Sequence, residues 1–282
     1  MQPSDLYSWT RIAPKIKKQI KITDCKYIYK YKAIRELKDI KRIEEIIKTK
    51  RIYVPTIDGI NDPFEGIYIN DVTSVAGSGA REIIGIKSSE YERELGKKRF
   101  LSFSKSCTIP QMWAHYANIY NGICFIYKND NHFKDVIYYP PEEIQTQCVA
   151  IHNDAVLSEI IECSLLFKVN TWEYEQECRF VTADSDVKFY ELGDNLVGII
   201  LGHNLENSIA NCIYDLAYKD GLQIYRTYVD KTNGTVRIIP YSIELFGNGE
   251  EIEKQVAEHC EDRYIDTFGN PCRRPSYSPT SL

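Results

Sequence analysis

The chain has 282 residues, 43% hydrophobic and 27% charged, enough to bury a substantial core and within the range of ordinary soluble proteins. A formal net charge of −5 gives no global basic field, so charge alone implies no nucleic-acid partner. Nine cysteines, at 25, 107, 124, 148, 163, 178, 212, 260 and 272, form no CxxC pair and no Cys/His knuckle, which argues for reduced thiols rather than a disulfide framework or structural zinc. No run approaches the length of a membrane span and residues 1–18 lack the apolar centre of a signal peptide, so the expectation is a soluble cytoplasmic protein with no membrane partner.

In chain order, residues 1–24 carry the basic stretch Lys15 to Lys21, read as a solvated N-terminal arm ahead of the main fold. Tyr27-Ile28-Tyr29-Lys30-Tyr31 alternates as a strand. Ile34, Leu37, Ile40, Ile43, Ile46 and Ile47 then recur at helical spacing, which predicts an amphipathic helix over about 33–49. A short strand at Arg51–Val54 ends at Pro55, and a loop leads into Asn61-Asp62-Pro63-Phe64-Glu65. Asn-Asp-Pro is a turn signal, because Asx side chains cap backbone N–H groups and Pro fixes φ. The same residues also make a shaped polar loop presenting Asn61, Asp62 and Glu65 beside an aromatic ring. Residues 67–98, with Gly77, Gly79 and a charged helix-like stretch from Ser88, read as an insertion or lid.

Arg99–Ser104 is a strand with Ser102 and Ser104 on one face, and Pro110 opens a helix that carries Trp113, His115 and Tyr116. Asn121-Gly122 turns into the buried strand Ile123–Tyr127. Val136–Tyr139 is a strand stopped by Pro140-Pro141, and residues 142–168 read as helix with Phe167-Lys168 near its end. Trp172 to Val181 then alternates carboxylates with apolar residues. Read as a strand, it places Glu173, Glu175, Glu177 and Arg179 on one face, opposite Trp172, Tyr174, Cys178 and Phe180. Three like charges in a row repel unless a cation, ligand or substrate uses them. Strands at Val187–Tyr190 and Leu196–Gly202, a helix over about 205–219, and strands at Gln223–Tyr228 and Val236–Pro240 complete the ordered part.

Many strands with few helices between them predict an α+β fold of split mixed or antiparallel sheets flanked by a few helices. The expected division is an arm over 1–24, one domain over 25–246, and a charged helix with a loose Pro/Ser tail over 247–282. No internal repeat, GxGxxG, GxxxxGK[ST] or GxSxG is present, which removes the usual support for dinucleotide-fold, P-loop and α/β-hydrolase readings.

Taken in order, Tyr29-Lys30-Tyr31, Asn61-Asp62-Pro63-Phe64-Glu65, Ser102-Phe103-Ser104, Met112-Trp113-Ala114-His115-Tyr116 with Gly122–Phe125, Trp172–Arg179 and Ile199–Gly202 resemble the DUF2971 family of bacterial and phage proteins. The resemblance covers about residues 27–240, and that family name carries no activity. A weaker resemblance is to ADP-ribosyltransferases, which share the order of strand, helix and short strand, then a Ser-x-Ser strand, then a Glu-bearing strand. It implies NAD as substrate, Tyr29 or Tyr31 against the cofactor, Ser102 and Ser104 supporting the nicotinamide ribose, and Glu175 or Glu177 stabilising the transition state. No Arg or His occupies the first strand, and two glutamates compete for the last position.

That chemistry suits the residues. Cleaving the nicotinamide–ribose bond passes through an oxocarbenium-like state that a nearby carboxylate stabilises. Glu177 is assigned that role, Glu175 orients a nucleophile or takes its proton, and Arg179 pairs with a carboxylate or grips the pyrophosphate. Tyr31, Trp113 and Tyr116 stack on nicotinamide or adenine; Asn61, Asp62, Phe64, Glu65 and His115 complete the expected NAD-contacting set. The expectation is an ADP-ribosyltransferase-like enzyme or NAD glycohydrolase, a defence or toxin effector whose acceptor is a protein or nucleic acid. Two alternatives stay open: a Mg²⁺-dependent nucleic-acid hydrolase using Asp62, Glu65, Glu175 and Glu177, and a non-catalytic nucleotide-binding module. Oligomeric state is not specified by the sequence.

Overall fold

The structure, a computed structural model, describes residues 20–57, 62, 66, 88–140, 161–162, 164–182, 184 and 186–241. The expected N-terminal arm up to residue 19, Asn61, Phe64, Glu65, the 67–87 part of the insertion, most of the 142–168 helix and the 247–282 tail lie outside the described residues. The chain divides into two compact units, Met1–Asp24 with Ile52–Phe103 and Asp130–Glu191, and Cys25–Arg51 with Ser104–Asn129 and Leu192–Leu282.

The second unit is built on a mixed sheet. Its strands are β1 (Tyr27–Ala33), β4 (Gly122–Lys128), β10 (Leu196–Leu201), β11 (Gln223–Asp230) and β12 (Thr235–Pro240), in the order β12-β11-β10-β4-β1. β1 and β4 pair antiparallel along their whole length, from Tyr27 opposite Lys128 to Ala33 opposite Gly122. β10 runs antiparallel to β4 and parallel to β11. A parallel neighbour needs a crossover, which helix α4 (Asn207–Lys219) supplies. Every residue of β4 up to Tyr127 is buried, as a continuous apolar run in a central strand requires.

Helix α1 (Leu37–Thr49) buries Ile43, Ile46 and Ile47. It begins four residues later than the apolar spacing predicts, because Ala33 still belongs to β1, and Leu37 is left 76% exposed. Asp39 in its first turn accepts a hydrogen bond from the Arg35 N–H, which ties the incoming chain to the helix start, while Glu36 provides no side-chain cap. Helix α3 (Pro110–Tyr116) starts on its proline as expected and packs on β1 through Trp113, edge-on to Tyr31 at 5.2 Å. Two glycines are fixed by backbone contact: a Cβ on Gly122 would lie 2.3 Å from the Lys32 carbonyl, and one on Gly202 would lie 2.0 Å from the Tyr120 carbonyl.

The first unit holds α2 (Ser88–Lys97), β3 (Arg99–Ser104) as far as Phe103, β5 (Lys134–Asp135), β6 (Ile137–Tyr139), β7 (Phe167–Val169), β8 (Glu177–Thr182) and β9 (Phe189–Glu191). β8 lies between β3 and β5; β6 and β7 form a parallel pair, and β9 pairs with β2 (Arg51–Tyr53). Its core is aromatic: Phe133 meets Phe103, Phe180 and Tyr190 at centroid distances of 5.0, 6.4 and 5.5 Å. The fold is thus α+β, with mixed sheets and few helices, as the sequence pattern predicts.

Two local expectations are corrected. Phe167 and Lys168 form β7 rather than the end of a helix. Trp172–Val181 is not one strand: Asn170–Glu175 is a 3₁₀ turn, Gln176 is left-handed at φ 46°, and only Glu177 onward is β8.

Candidate functional site

The break at Gln176 decides which acidic residues come together. An unbroken strand would stack three carboxylates on one face, where their repulsion is unrelieved. The left-handed turn instead leaves Glu173 exposed and folds Glu175 back beside Glu177, both of them around the Lys168 ammonium. Lys168 Nζ lies 2.6 Å from Glu175 Oε2 and 3.3 Å from Glu177 Oε2. Lys168 also sits 5.0 Å from the centre of the Trp172 ring, so the 3₁₀ turn that delivers Glu175 also covers the cation.

Glu177 and Arg179 are two residues apart on β8 and share a face. Arg179 forks onto the carboxylate, Nε to Oε1 at 2.9 Å and Nη2 to Oε2 at 2.7 Å. Its third nitrogen, Nη1, donates to the Leu165 carbonyl at 2.5 Å, and the guanidinium lies 4.7 Å from the Phe100 ring centre. Ser102 on β3 adds a hydrogen bond to the Glu177 carboxylate, and the Glu177 N–H donates to the Tyr138 hydroxyl at 2.8 Å. All four charged members are buried: Lys168 and Glu177 are 6% exposed, Glu175 3% and Arg179 1%.

Two acids and two bases make the group formally neutral, which is what lets it sit in the interior. Burial alone would raise the Glu177 carboxyl, but Arg179 and Lys168, with the hydrogen bonds from Arg179 and Ser102, hold it down at about 2. Glu177 is therefore ionised at neutral pH. Burial, followed by the charge of Glu177, pushes the Tyr138 phenol upward, so it remains a neutral acceptor for the Glu177 amide.

Of the expected site residues, Glu175, Glu177, Arg179 and Ser102 are thus brought together within the first unit. Asp62 is buried there as well. The remaining described ones belong to the second unit. Tyr29 and Trp113 are fully buried, and the Trp113 indole N–H donates to the Cys107 carbonyl at 2.7 Å. Tyr31 is 6% exposed and its hydroxyl donates to the Ser106 carbonyl at 2.9 Å. Burial, then nearby Cys124, Cys107 and Tyr120, push its phenol well above the ordinary range. Ser104 is buried opposite Tyr29, with its hydroxyl accepting from the Ser106 N–H at 3.2 Å. In this arrangement these are core and turn-forming contacts. His115 is exposed and Tyr116 half-buried.

Sequence reasoning missed Lys168 and Tyr138. The signal for Lys168 was a single cation between Phe167 and Val169, the period-2 pattern of a strand, hidden by reading the segment as a helix end. Among the described residues no group of three His, Cys, Asp or Glu side chains converges to hold a metal ion, and Glu175 and Glu177 already have Lys168 and Arg179 as their counter-charges. Among the described residues no helix is long and apolar enough to cross a membrane.

Compared with family models, with curated proteins and with solved structures, the chain finds no match. The class that the fold and site define is an α+β protein with a buried Lys–Glu–Glu–Arg cluster drawn from β7, the 3₁₀ turn and β8.

Proposed function

We propose that the chain is an ADP-ribosyltransferase-like enzyme that cleaves the nicotinamide–ribose bond of NAD and passes the ADP-ribosyl group to water or to a protein or nucleic-acid acceptor. The observation that carries the reading is the hydrogen bond from Ser102 to Glu177, which joins the Ser-x-Ser strand to the Glu-bearing strand around an ionised carboxylate. In this reading Glu177 accepts a ribose hydroxyl and stabilises the positive charge that develops on the ribose as nicotinamide leaves with the bonding electron pair. Glu175 takes the proton of the attacking hydroxyl. To meet a ribose, Glu177 releases one oxygen from Lys168 or Arg179, and the freed cation then faces the NAD pyrophosphate.

Incubation with NAD, alone and with candidate acceptors, and assay of free nicotinamide test the proposal. Release that is lost in Glu177→Gln supports it; no release with any acceptor, together with no NAD binding by calorimetry, refutes it. A second reading, a nucleotide-binding module without chemistry, draws on the fact that both Glu177 oxygens are already engaged by Arg179. NAD binding without nicotinamide release selects it.

A further inference from the structure

The two cations of the buried cluster are not held alike. Arg179 is fixed by its fork onto Glu177, by the Leu165 carbonyl and by the Phe100 ring. Lys168 meets Glu177 through one contact at 3.3 Å and gives its shorter bond, 2.6 Å, to Glu175 of the 3₁₀ turn. A point charge on a flexible stem is the easier of the two to win away from its partners.

The 3₁₀ turn covers Lys168 from outside. Asn170, Thr171 and Glu173 are exposed, Trp172, Tyr174 and Gln176 are half-buried, and within Asn170–Glu175 only Glu175 is buried. The turn is therefore seated by a charge and not by an apolar plug, with the Trp172 ring centre 5.0 Å from the ammonium. Six residues is long for a 3₁₀ run, whose hydrogen bonds have poor geometry, and Gln176 is strained at φ 46°. The Gln176 N–H donates back inside the turn, to the Glu173 carbonyl. Both flanks are pinned: Val169 pairs with Tyr139, and the Glu177 N–H donates to the Tyr138 hydroxyl.

We propose that Lys168 is the phosphate-binding cation of this site and that residues 170–176 are its lid, with the Glu175 carboxylate holding the place of the phosphate while the lid is shut. The inference rests on the NAD reading and names which of the two cations meets the pyrophosphate. When the lid lifts, Lys168 and Arg179 share Glu177 alone, and the net positive charge attracts a pyrophosphate oxygen. That oxygen replaces Glu175 on Lys168, and Glu175 is released to take the proton of the attacking hydroxyl. Arg179 stays on Glu177 throughout and keeps its carboxylate aimed.

The test is hydrogen exchange of the full chain, read by mass spectrometry over residues 170–176 and over residues 178–181 of β8. In the free protein the turn should exchange faster than β8. Glu175→Gln should speed the turn about tenfold or more beyond any change in β8, the size of one hydrogen bond to a charged group. Millimolar inorganic pyrophosphate should speed the turn in the wild-type chain by more than sodium chloride of equal ionic strength does. A turn that exchanges no faster than β8, no gain over β8 in Glu175→Gln, or a pyrophosphate effect no larger than that of the salt overturns the proposal. Neither NAD nor turnover enters the readout, so a turn that stays shut sinks the lid and leaves the NAD reading to the nicotinamide assay.

Discussion

Replacing Lys168 by Met keeps the length of the side chain and removes the ammonium that Glu175 and Glu177 share. Its nitrogen is 2.6 Å from one carboxylate and 3.3 Å from the other, and all three side chains are nearly inaccessible to water. Deleting one partner of a buried pair leaves an uncompensated charge and costs about 3–5 kcal/mol, against about 0–1 kcal/mol for an exposed pair. Urea denaturation at pH 7 followed by far-UV circular dichroism is the assay. The loss should shrink near pH 4, where the orphaned carboxylate escapes its penalty by taking a proton. The double variant Lys168→Met/Glu175→Gln should be less damaged than the sum of its parts, since the second change removes the charge the first had stranded. A loss below about 1 kcal/mol at pH 7, the size of an exposed pair, or an equal loss at both pH values, would refute the reasoning.

Glu177 is held at about 2 rather than 4.5, so its contribution is fully present above pH 4.5 and disappears as pH falls from 4.5 to 2; on the order of 3 kcal/mol should be lost in that window and be missing from the profile of Glu177→Gln. Trp113→Phe removes the donor to the Cys107 carbonyl and part of a fully buried ring, and should cost about 1–3 kcal/mol in a thermal melt. Gly202→Ala would set a methyl 2.0 Å from the Tyr120 carbonyl, and should lower stability by about 1–3 kcal/mol or more, whereas Gly193→Ala meets no atom within 4 Å and should cost only its positive-φ strain of about 1 kcal/mol.

How much was legible in the sequence depended on whether the local signal and the tertiary constraint agreed. β4 and β10 are apolar runs bounded by Gly122 and Gly202, and their burial on both faces follows from that composition. α1 follows its isoleucine spacing except at its start, where the pairing of Ala33 with Gly122 keeps the chain extended. The acidic segment misled because alternation is a pattern of residue types, while its fold was set by charge. Placing Glu175 and Glu177 around one buried lysine outweighed the strand alternation, and Gln176 absorbed the reversal. The relation of Ser102 to Glu177 was legible from motif order. Lys168 and Tyr138 were not, since neither belongs to a motif and both reach the site only through the pairing of β6 with β7.

The central claim is that Glu177 is the carboxylate that drives NAD cleavage. Its most direct test is the rate of nicotinamide release at pH 7 by the wild-type chain and by Glu177→Gln, with both proteins shown to be folded by circular dichroism. The account predicts measurable release by the wild type and a fall of about 10²–10³-fold in the variant, the size expected for one lost electrostatic contact to the transition state. Release at equal rates by both proteins would contradict it.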